Sequence, residues 1–138
     1  MTSLPDNVGS LAALEELNLG HNSLETLPSS LFCLPALQRL GLAGNRLKFL
    51  PEALGQLVGL QELDLSCNIL EALPESLGEL AALRQLSLKS NLLRDLPESI
   101  GRLGRLKELD LDGNNIERIP DSFADLELLP ANFRYENR

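Results

Sequence analysis

The chain has 138 residues, of which 36, about a quarter, are leucine, whereas only 4% are aromatic and none is tryptophan. Its core must therefore be almost entirely aliphatic. Twenty acidic against twelve basic residues give a net charge of −8, which argues against nucleic acids and anionic membrane surfaces as partners. The start of the chain lacks the charge and hydropathy pattern of a secretory signal, and no apolar run approaches the roughly 18 residues of a membrane span. We therefore expect a soluble chain.

The sequence repeats itself every 23 residues, with prolines at this spacing from Pro5 to Pro120 and asparagines from Asn22 to Asn114. The unit reads LxxLxLxxNxLxxLPxxLxxLxx, and its positions are numbered here from its first leucine. In chain order we predict a half-repeat at 1–13, five full repeats at 14–128 and a degenerate tail at 129–138, all in a single domain. Such a period is typical of a solenoid, because one unit buries its leucines only by stacking on its neighbours.

Each repeat is predicted to contain a short strand followed by a return segment. In the third repeat, Leu63 and Leu65 alternate with polar residues, which is the period of a strand with one buried face. The leucines between Leu73 and Leu80 are spaced by four and three, which indicates a short helical turn with Pro74 at its first position. Glu75 then suits the positive N-terminal end of that turn. Successive strands must lie parallel, so the expected fold is a curved α/β solenoid.

The asparagine at position 9 of each repeat is predicted to point into the leucine column. Buried polar groups are normally hydrogen-bonded, and an amide can pair with both a carbonyl and an N–H where the chain leaves the strand. We call this row the asparagine ladder, and its members are Asn22, Asn45, Asn68, Asn91 and Asn114.

These recurring residues also carry a family resemblance, which covers nearly the whole chain. The unit resembles the 23-residue leucine-rich repeat of the LPxxLGxL type. It is similar to the intracellular arrays of Ras-pathway scaffolds, which include the Scribble and erbin group, the Ras suppressor protein and plant intracellular Ras-group-related proteins. The resemblance implies a leucine-rich repeat horseshoe that binds partners, with a parallel sheet on its concave face and short helical or irregular return segments on its convex face.

Both ends of the chain depart from the repeat. The first strand has only a half-repeat before it, and little is expected to cover it. A sixth repeat should begin at Leu129, but Asn132 and Arg134 fill its core positions. Phe133 and Tyr135 alternate one position out of register, so the tail forms either a slipped strand that caps the last repeat or a frayed end. Open ends of this kind indicate either a piece of a longer array or self-association through an end.

Few side chains could support catalysis or metal binding. The chain has one histidine, His21, which we interpret as a solvated turn residue, and two cysteines, Cys33 and Cys67. The repeat places these cysteines too far apart for a disulfide, and zinc would lack two of its four ligands. No phosphate-binding glycine motif occurs. We therefore expect no cofactor, no metal and no enzyme activity, and the two free thiols favour a reducing, cytoplasmic location.

The concave face remains as the candidate binding surface. Positions 3, 5 and 7 of each repeat point away from the core, and their side chains are acidic overall, with isolated positive points. Such a surface should attract a basic or polar protein. Alternatively, these residues are ordinary fillers of this type of repeat. The candidate binding residues are Glu16, Arg39, Glu62, Asp64, Lys89, Glu108, Asp110 and Asp112.

Three functions fit the sequence. The leading hypothesis is a non-enzymatic module that holds a protein partner on its concave face in intracellular signalling or scaffolding. The second is a structural element that assembles through its uncapped ends. The third is the recognition fragment of a larger signalling protein, enzyme or effector whose catalytic part lies outside this chain.

Overall fold

The computed structural model describes residues 1–127 and 132–137, and in them the chain forms a solenoid of short parallel strands joined by 3₁₀ turns. The strands form one parallel sheet in the order of the sequence, because each repeat stacks on the one before it. They are β1 (Glu16–Asn18), β2 (Arg39–Gly41), β3 (Glu62–Asp64), β4 (Gln85–Ser87), β5 (Glu108–Asp110) and β6 (Phe133–Arg134). The predicted leucine-rich repeat solenoid is confirmed.

Every return segment contains a five-residue 3₁₀ turn on the side opposite the sheet. The turns are η1 (Asp6–Ser10), η2 (Ser29–Cys33), η3 (Glu52–Gln56), η4 (Glu75–Glu79), η5 (Glu98–Arg102) and η6 (Asp121–Asp125). The side chains between strands and turns form the core, in which leucines such as Leu65, Leu77 and Leu80 are fully buried. Phe32 is an aromatic exception, with 1% of its surface exposed.

The start of each turn differs from the sequence prediction in two details. Pro74 precedes η4 rather than beginning it, because its ψ of 150° is extended and only its carbonyl joins the turn, as the acceptor of the Leu77 N–H at 3.1 Å. The Glu75 carboxylate does not bind its own turn. Its Oε2 accepts the N–H of Ser99, in the first turn of η5, at 3.2 Å, and thereby links consecutive repeats.

The asparagine ladder joins each repeat to the one before it. Asn68 is 6% exposed, and its Oδ1 accepts the N–H of Leu47 at 3.0 Å. Its Nδ2 donates to the carbonyls of Leu42 at 3.0 Å and Leu65 at 3.1 Å. The same pattern of three bonds is made by Asn45, Asn91 and Asn114. Asn22, in the first repeat, donates only to carbonyls of its own repeat.

Position 8, just before the ladder asparagine, adopts a left-handed backbone. Gly44 and Gly113 have φ values of 67° and 70°, and His21, Cys67 and Ser90 have φ values between 54° and 57°. Residues with a Cβ rarely adopt this region, so the turn out of the strand forces it on three of the five repeats. His21 is exposed in this turn.

Glycine at position 19 lets neighbouring 3₁₀ turns pack closely on the convex side. A Cβ on Gly78 would lie 2.5 Å from the Cβ of Ser99, and a Cβ on Gly55 or Gly101 would meet the following repeat in the same way. Position 19 of the first repeat instead holds the buried Phe32, and η2 and η3 pack less closely than the other neighbouring turns.

Of the two alternatives for the tail, the structure has the slipped strand. Phe133 pairs with Leu109. The sequence separation of this pair is one residue more than the repeat length. The Phe133 ring packs 5.3 Å from that of Phe123 and stacks on that of Tyr135 at 6.3 Å, measured between ring centroids. Phe123 and Phe133 also pack against the leucine core. The predicted boundary between the fifth repeat and the tail lies outside the described residues.

Asn137 adds a further rung to the asparagine ladder. It pairs with Asn114 at the 23-residue spacing, its Oδ1 accepts the N–H of Ile116 at 2.9 Å, and its Nδ2 donates to the carbonyl of Ile116 at 2.8 Å. This residue was not predicted from the sequence, although its spacing from Asn114 was a usable signal. The slip therefore ends before Asn137.

Replacing Asn68 with alanine should lower the free energy of unfolding by about 1–3 kcal/mol, because a buried N–H and two carbonyls lose a partner. Urea denaturation followed by circular dichroism measures the loss. Asn22→Ala is the matched control, because Asn22 makes no bond to another repeat, and its loss should be smaller. Equal losses in the two variants would contradict the role of the cross-repeat bonds.

Replacing Gly78 with alanine should destabilise the chain by about 1–3 kcal/mol, because the new methyl group overlaps the backbone of the next repeat. Gly104→Ala is the control, since a Cβ there would have no neighbouring atom within 4 Å. Thermal melts of the two variants test the difference. A melting temperature of Gly78→Ala equal to that of Gly104→Ala would show that the turns separate at little cost.

Candidate binding groove on the concave face

A groove of about 610 Å³ runs across the exposed face of the sheet, and we call it the concave groove. Side chains alternate between the two faces of a strand, so the leucines at positions 4 and 6 enter the core while positions 3 and 5 line the groove. The residues at positions 3 and 5, joined by two from the tail, are Glu16, Asn18, Arg39, Gly41, Glu62, Asp64, Gln85, Ser87, Glu108, Asp110, Asn132 and Arg134.

Most of the residues predicted for the concave face line this groove. They are Glu16, Arg39, Glu62, Asp64, Glu108 and Asp110. Lys89 and Asp112 do not line it, so their place in a binding surface stays a prediction. The strands end at position 5, but backbone bonds between repeats continue to position 8, where the N–H of Ser90 donates to the carbonyl of Asp112 at 2.7 Å. The Oδ1 of Asp112 accepts the N–H of Glu136 at 2.8 Å, so its carboxylate holds the tail.

The acidic residues at position 5 have a structural role in addition to their charge. The Oδ1 of Asp64 accepts the N–H of Ser66 at 3.0 Å, and that of Asp110 accepts the N–H of Asp112 at 3.0 Å. Asn18 makes the same bond to Gly20 at 2.9 Å, so this bond needs a side-chain oxygen but not a charge. One oxygen of each aspartate supports the turn, and the carboxylate charge still faces the groove.

The uncompensated negative charge of the groove lies on strands β3 and β5. Arg39 forms an ion pair with Glu16, so these two charges offset each other. Among the described residues, no cationic group lies within ion-pair distance of Glu62, Asp64, Glu108 or Asp110. Neighbouring strands are about 4.8 Å apart, so β3 and β5 are separated by roughly one Debye length at physiological salt. The four carboxylates therefore produce one shared negative potential, which salt screens.

The tail supplies two residues of the concave groove that the sequence analysis did not assign to the groove. The period places Arg134 at a core position, but the one-residue slip pairs it with Asp110 and so turns it to the concave face, since a slip of one exchanges the faces of a strand. Asn132 lies beside it in the groove. The slip therefore adds a cationic side chain to the C-terminal end of the groove lining.

Nothing in the described residues forms a catalytic or metal site. His21 lies outside the groove lining, and no three His, Cys, Asp or Glu side chains in residues 1–127 and 132–137 come together as metal ligands. Cys33 and Cys67 are both exposed free thiols. The 3₁₀ turns in this part of the chain are too short for any of them to cross a membrane. The groove can bind a cation or hydrogen-bond donors by charge and shape.

Two family models for leucine-rich repeats match the chain. One is described as leucine rich repeat and matches residues 1–47. The other is described as the leucine-rich repeats of leucine-rich repeat and WD repeat-containing protein 1 and matches residues 33–132. Because the second match extends over more than half of the sequence, the chain belongs to the leucine-rich repeat family. A comparison with curated proteins gives no significant match.

Solved structures share this fold closely. A leucine-rich repeat protein from Leptospira interrogans matches 94% of this chain with a TM-score of 0.85 and 37% identity. The ectodomain of the Arabidopsis thaliana receptor kinase GASSHO1/SCHENGEN3, in complex with Casparian strip integrity factor 2, matches 91% with a TM-score of 0.73 and 31% identity. A plant peptide hormone receptor in complex with RGF2 matches 99% with a TM-score of 0.81 and 29% identity.

This chain spans 34%, 18% and 23% of the lengths of those three chains. The leucine-rich repeat fold generally mediates protein–protein interaction and is typically non-enzymatic. Membership of the family thus confirms the expectation of a non-enzymatic module, and it supports a protein as the partner.

The two roles of Asp64 are separable by substitution. Asp64→Ala removes the bond to the Ser66 N–H and should cost about 0.5–1.5 kcal/mol of unfolding free energy, whereas Asp64→Asn keeps an oxygen in place, as Asn18 does, and should cost much less. Parallel urea titrations of the two variants make the comparison. If Asp64→Asn is as unstable as Asp64→Ala, then the negative charge itself holds the turn.

Proposed function

We propose that this chain is a non-enzymatic module that binds a basic or polar segment of a protein partner along its concave groove, in a cytoplasmic signalling or scaffolding assembly. The observation that carries the proposal is the set of four groove carboxylates without a cationic partner among the described residues: Glu62, Asp64, Glu108 and Asp110. Their field would speed encounter with a positive surface and exclude acidic proteins.

The dimensions of the groove fit a short peptide segment. Six strands at a spacing of about 4.8 Å span roughly 24 Å, which an extended segment of about seven residues would cross. The repeat also keeps successive carboxylates at a fixed pitch, so a partner with regularly spaced lysine or arginine residues would match them. Arg39 is neutralised by Glu16, which leaves the N-terminal part of the groove for uncharged polar groups.

The cytoplasmic and scaffolding parts of the proposal have separate support. Two exposed free thiols, Cys33 and Cys67, fit a reducing compartment. The 23-residue LPxxLGxL unit resembles the intracellular arrays of Ras-pathway scaffolds. The third hypothesis, a recognition fragment of a larger protein, stays a prediction.

A neutralised variant tests the concave groove. We expect Glu62→Gln, Asp64→Asn, Glu108→Gln and Asp110→Asn together to abolish capture of the partner from cell lysate while preserving the melting temperature, because every hydrogen-bonding oxygen at position 5 is retained. Capture should also weaken as salt rises from low to physiological concentration. Mass spectrometry of the proteins bound by parent and variant is the measurement.

The matched control removes the same charge outside the groove. Asp6→Asn, Glu117→Gln, Asp125→Asn and Glu127→Gln alter four exposed residues that do not line it, so the two variants have equal net charge. Partners lost from both variants would indicate nonspecific attraction to an acidic protein. Identical partner lists for the parent and the groove variant would remove the concave proposal.

Assembly through an open end is the second candidate, and one observation favours the N-terminal end. Among the strands of the described residues, β1 pairs only with β2, and Met1 and Leu11 near it are 63% and 50% exposed, whereas Phe123 and Phe133 pack against the core near the other end. Sedimentation of the parent over a range of concentrations belongs to the same experiment. A mass that rises with concentration, together with unchanged partner lists, would establish assembly.

A further inference from the structure

A second groove lies on the side of the solenoid, between the ladder asparagines and the 3₁₀ turns of the first three repeats. Its volume is about 580 Å³, and its lining includes Glu25, Arg46, Lys48, Phe49, Leu50 and Ile69. We call it the flank groove. It shares no residue with the concave groove.

The flank groove exposes large apolar side chains. Phe49 is 60% exposed and Ile69 is 43% exposed, and Leu92, in the same position as Ile69 one repeat further along, is 41% exposed. These three positions face outward, so their side chains are not part of the buried leucine core. Aromatic side chains on a surface are the groups that most often anchor a protein partner, and the concave groove has none among its lining residues.

The backbone beneath these side chains is held in place. The N–H of Arg46 donates to the carbonyl of Leu24 at 2.9 Å, and the N–H of Ile69 donates to that of Leu47 at 3.1 Å. These bonds repeat from one unit to the next and join the same segments that the asparagine ladder joins. The groove therefore exists before a ligand arrives, and binding need not order it.

The charges of the flank groove differ from those of the rest of the chain. The lining of the flank groove has two cationic residues, Arg46 and Lys48, and one carboxylate, Glu25, on a chain with a net charge of −8. Arg46 has no ion-pair partner in residues 1–127 and 132–137. The Lys48 Nζ lies 5.6 Å from the centre of the Phe49 ring and 3.2 Å from the Glu71 carboxylate. Because that ion pair is exposed and therefore weak, an incoming carboxylate can replace Glu71.

We propose that the flank groove binds an acidic segment of a partner protein, with an apolar side chain of that segment packed against Phe49 and Ile69 and its carboxylates paired with Arg46 and Lys48. This site is independent of the concave groove, which excludes acidic segments. One chain would thus bind a basic segment on its sheet and an acidic segment on its side.

Selection from a random peptide phage library tests this proposal, because it samples all peptide chemistries equally. The full chain is the bait, and the Phe49→Ala variant removes peptides that bind elsewhere. We expect the enriched peptides to place aspartate or glutamate around a large apolar residue. A fluorescein-labelled enriched peptide then gives dissociation constants by fluorescence anisotropy.

We expect Phe49→Ala, and separately Arg46→Glu with Lys48→Glu, to weaken this peptide by about tenfold or more, the effect of losing an anchor residue. Val58→Ala is the matched control, since Val58 is an apolar residue that is 65% exposed and outside the groove, and it should leave the affinity unchanged. The neutralised concave variant should also bind the peptide normally, so the two proposals can fail separately.

Three results would overturn the flank proposal. They are the absence of enriched peptides, enrichment of basic or uncharged peptides, and an affinity that Phe49→Ala leaves unchanged. Sedimentation provides a further check, because self-association that Phe49→Ala removes would identify a second copy of the chain as the occupant.

Discussion

The rest of this structure depends on one constraint. The backbone N–H and C=O groups need hydrogen-bond partners where the chain leaves the sheet. Strands β1 to β5 are three residues long and β6 is two, so most of each repeat lies outside the strands, and its buried N–H and C=O groups need other hydrogen-bond partners. The ladder asparagine provides them by joining one N–H and two carbonyls of two consecutive repeats. This cross-repeat bond keeps positions 3 and 5 of successive strands in register, and that register forms the concave groove.

The period predicted the parts of the fold that recur. Parallel strands, an aliphatic core and buried asparagines follow from residues that return every 23 positions, because only one stacking places all of them in equivalent surroundings. The errors lie where a feature occurs once or depends on a single backbone angle. The residue type did not fix the extended ψ of the proline before each turn, such as Pro74, and the slip that turns Arg134 to the sheet face occurs only once in the described strands.

The candidate sites show the same division. The groove carboxylates at positions 3 and 5 were predictable from the alternation of a strand, but the extent of the groove was not, and Lys89 and Asp112, which were assigned with them, do not line it. The residue at the position of Phe49 is different in every repeat, and the sequence alone did not identify Phe49 as part of a binding site. Its exposure depends on the path of the return segment, which only the folded backbone defines.

The contacts between the elements have a mechanical consequence. In the described part of the chain each strand and each 3₁₀ turn packs only against its counterparts in adjacent repeats, so no contact ties one end of the solenoid to the other. A force that pulls the two ends apart is resisted by one interface at a time. Such a chain should behave as a soft spring that extends stepwise, and a bound segment that crosses several strands would stiffen it.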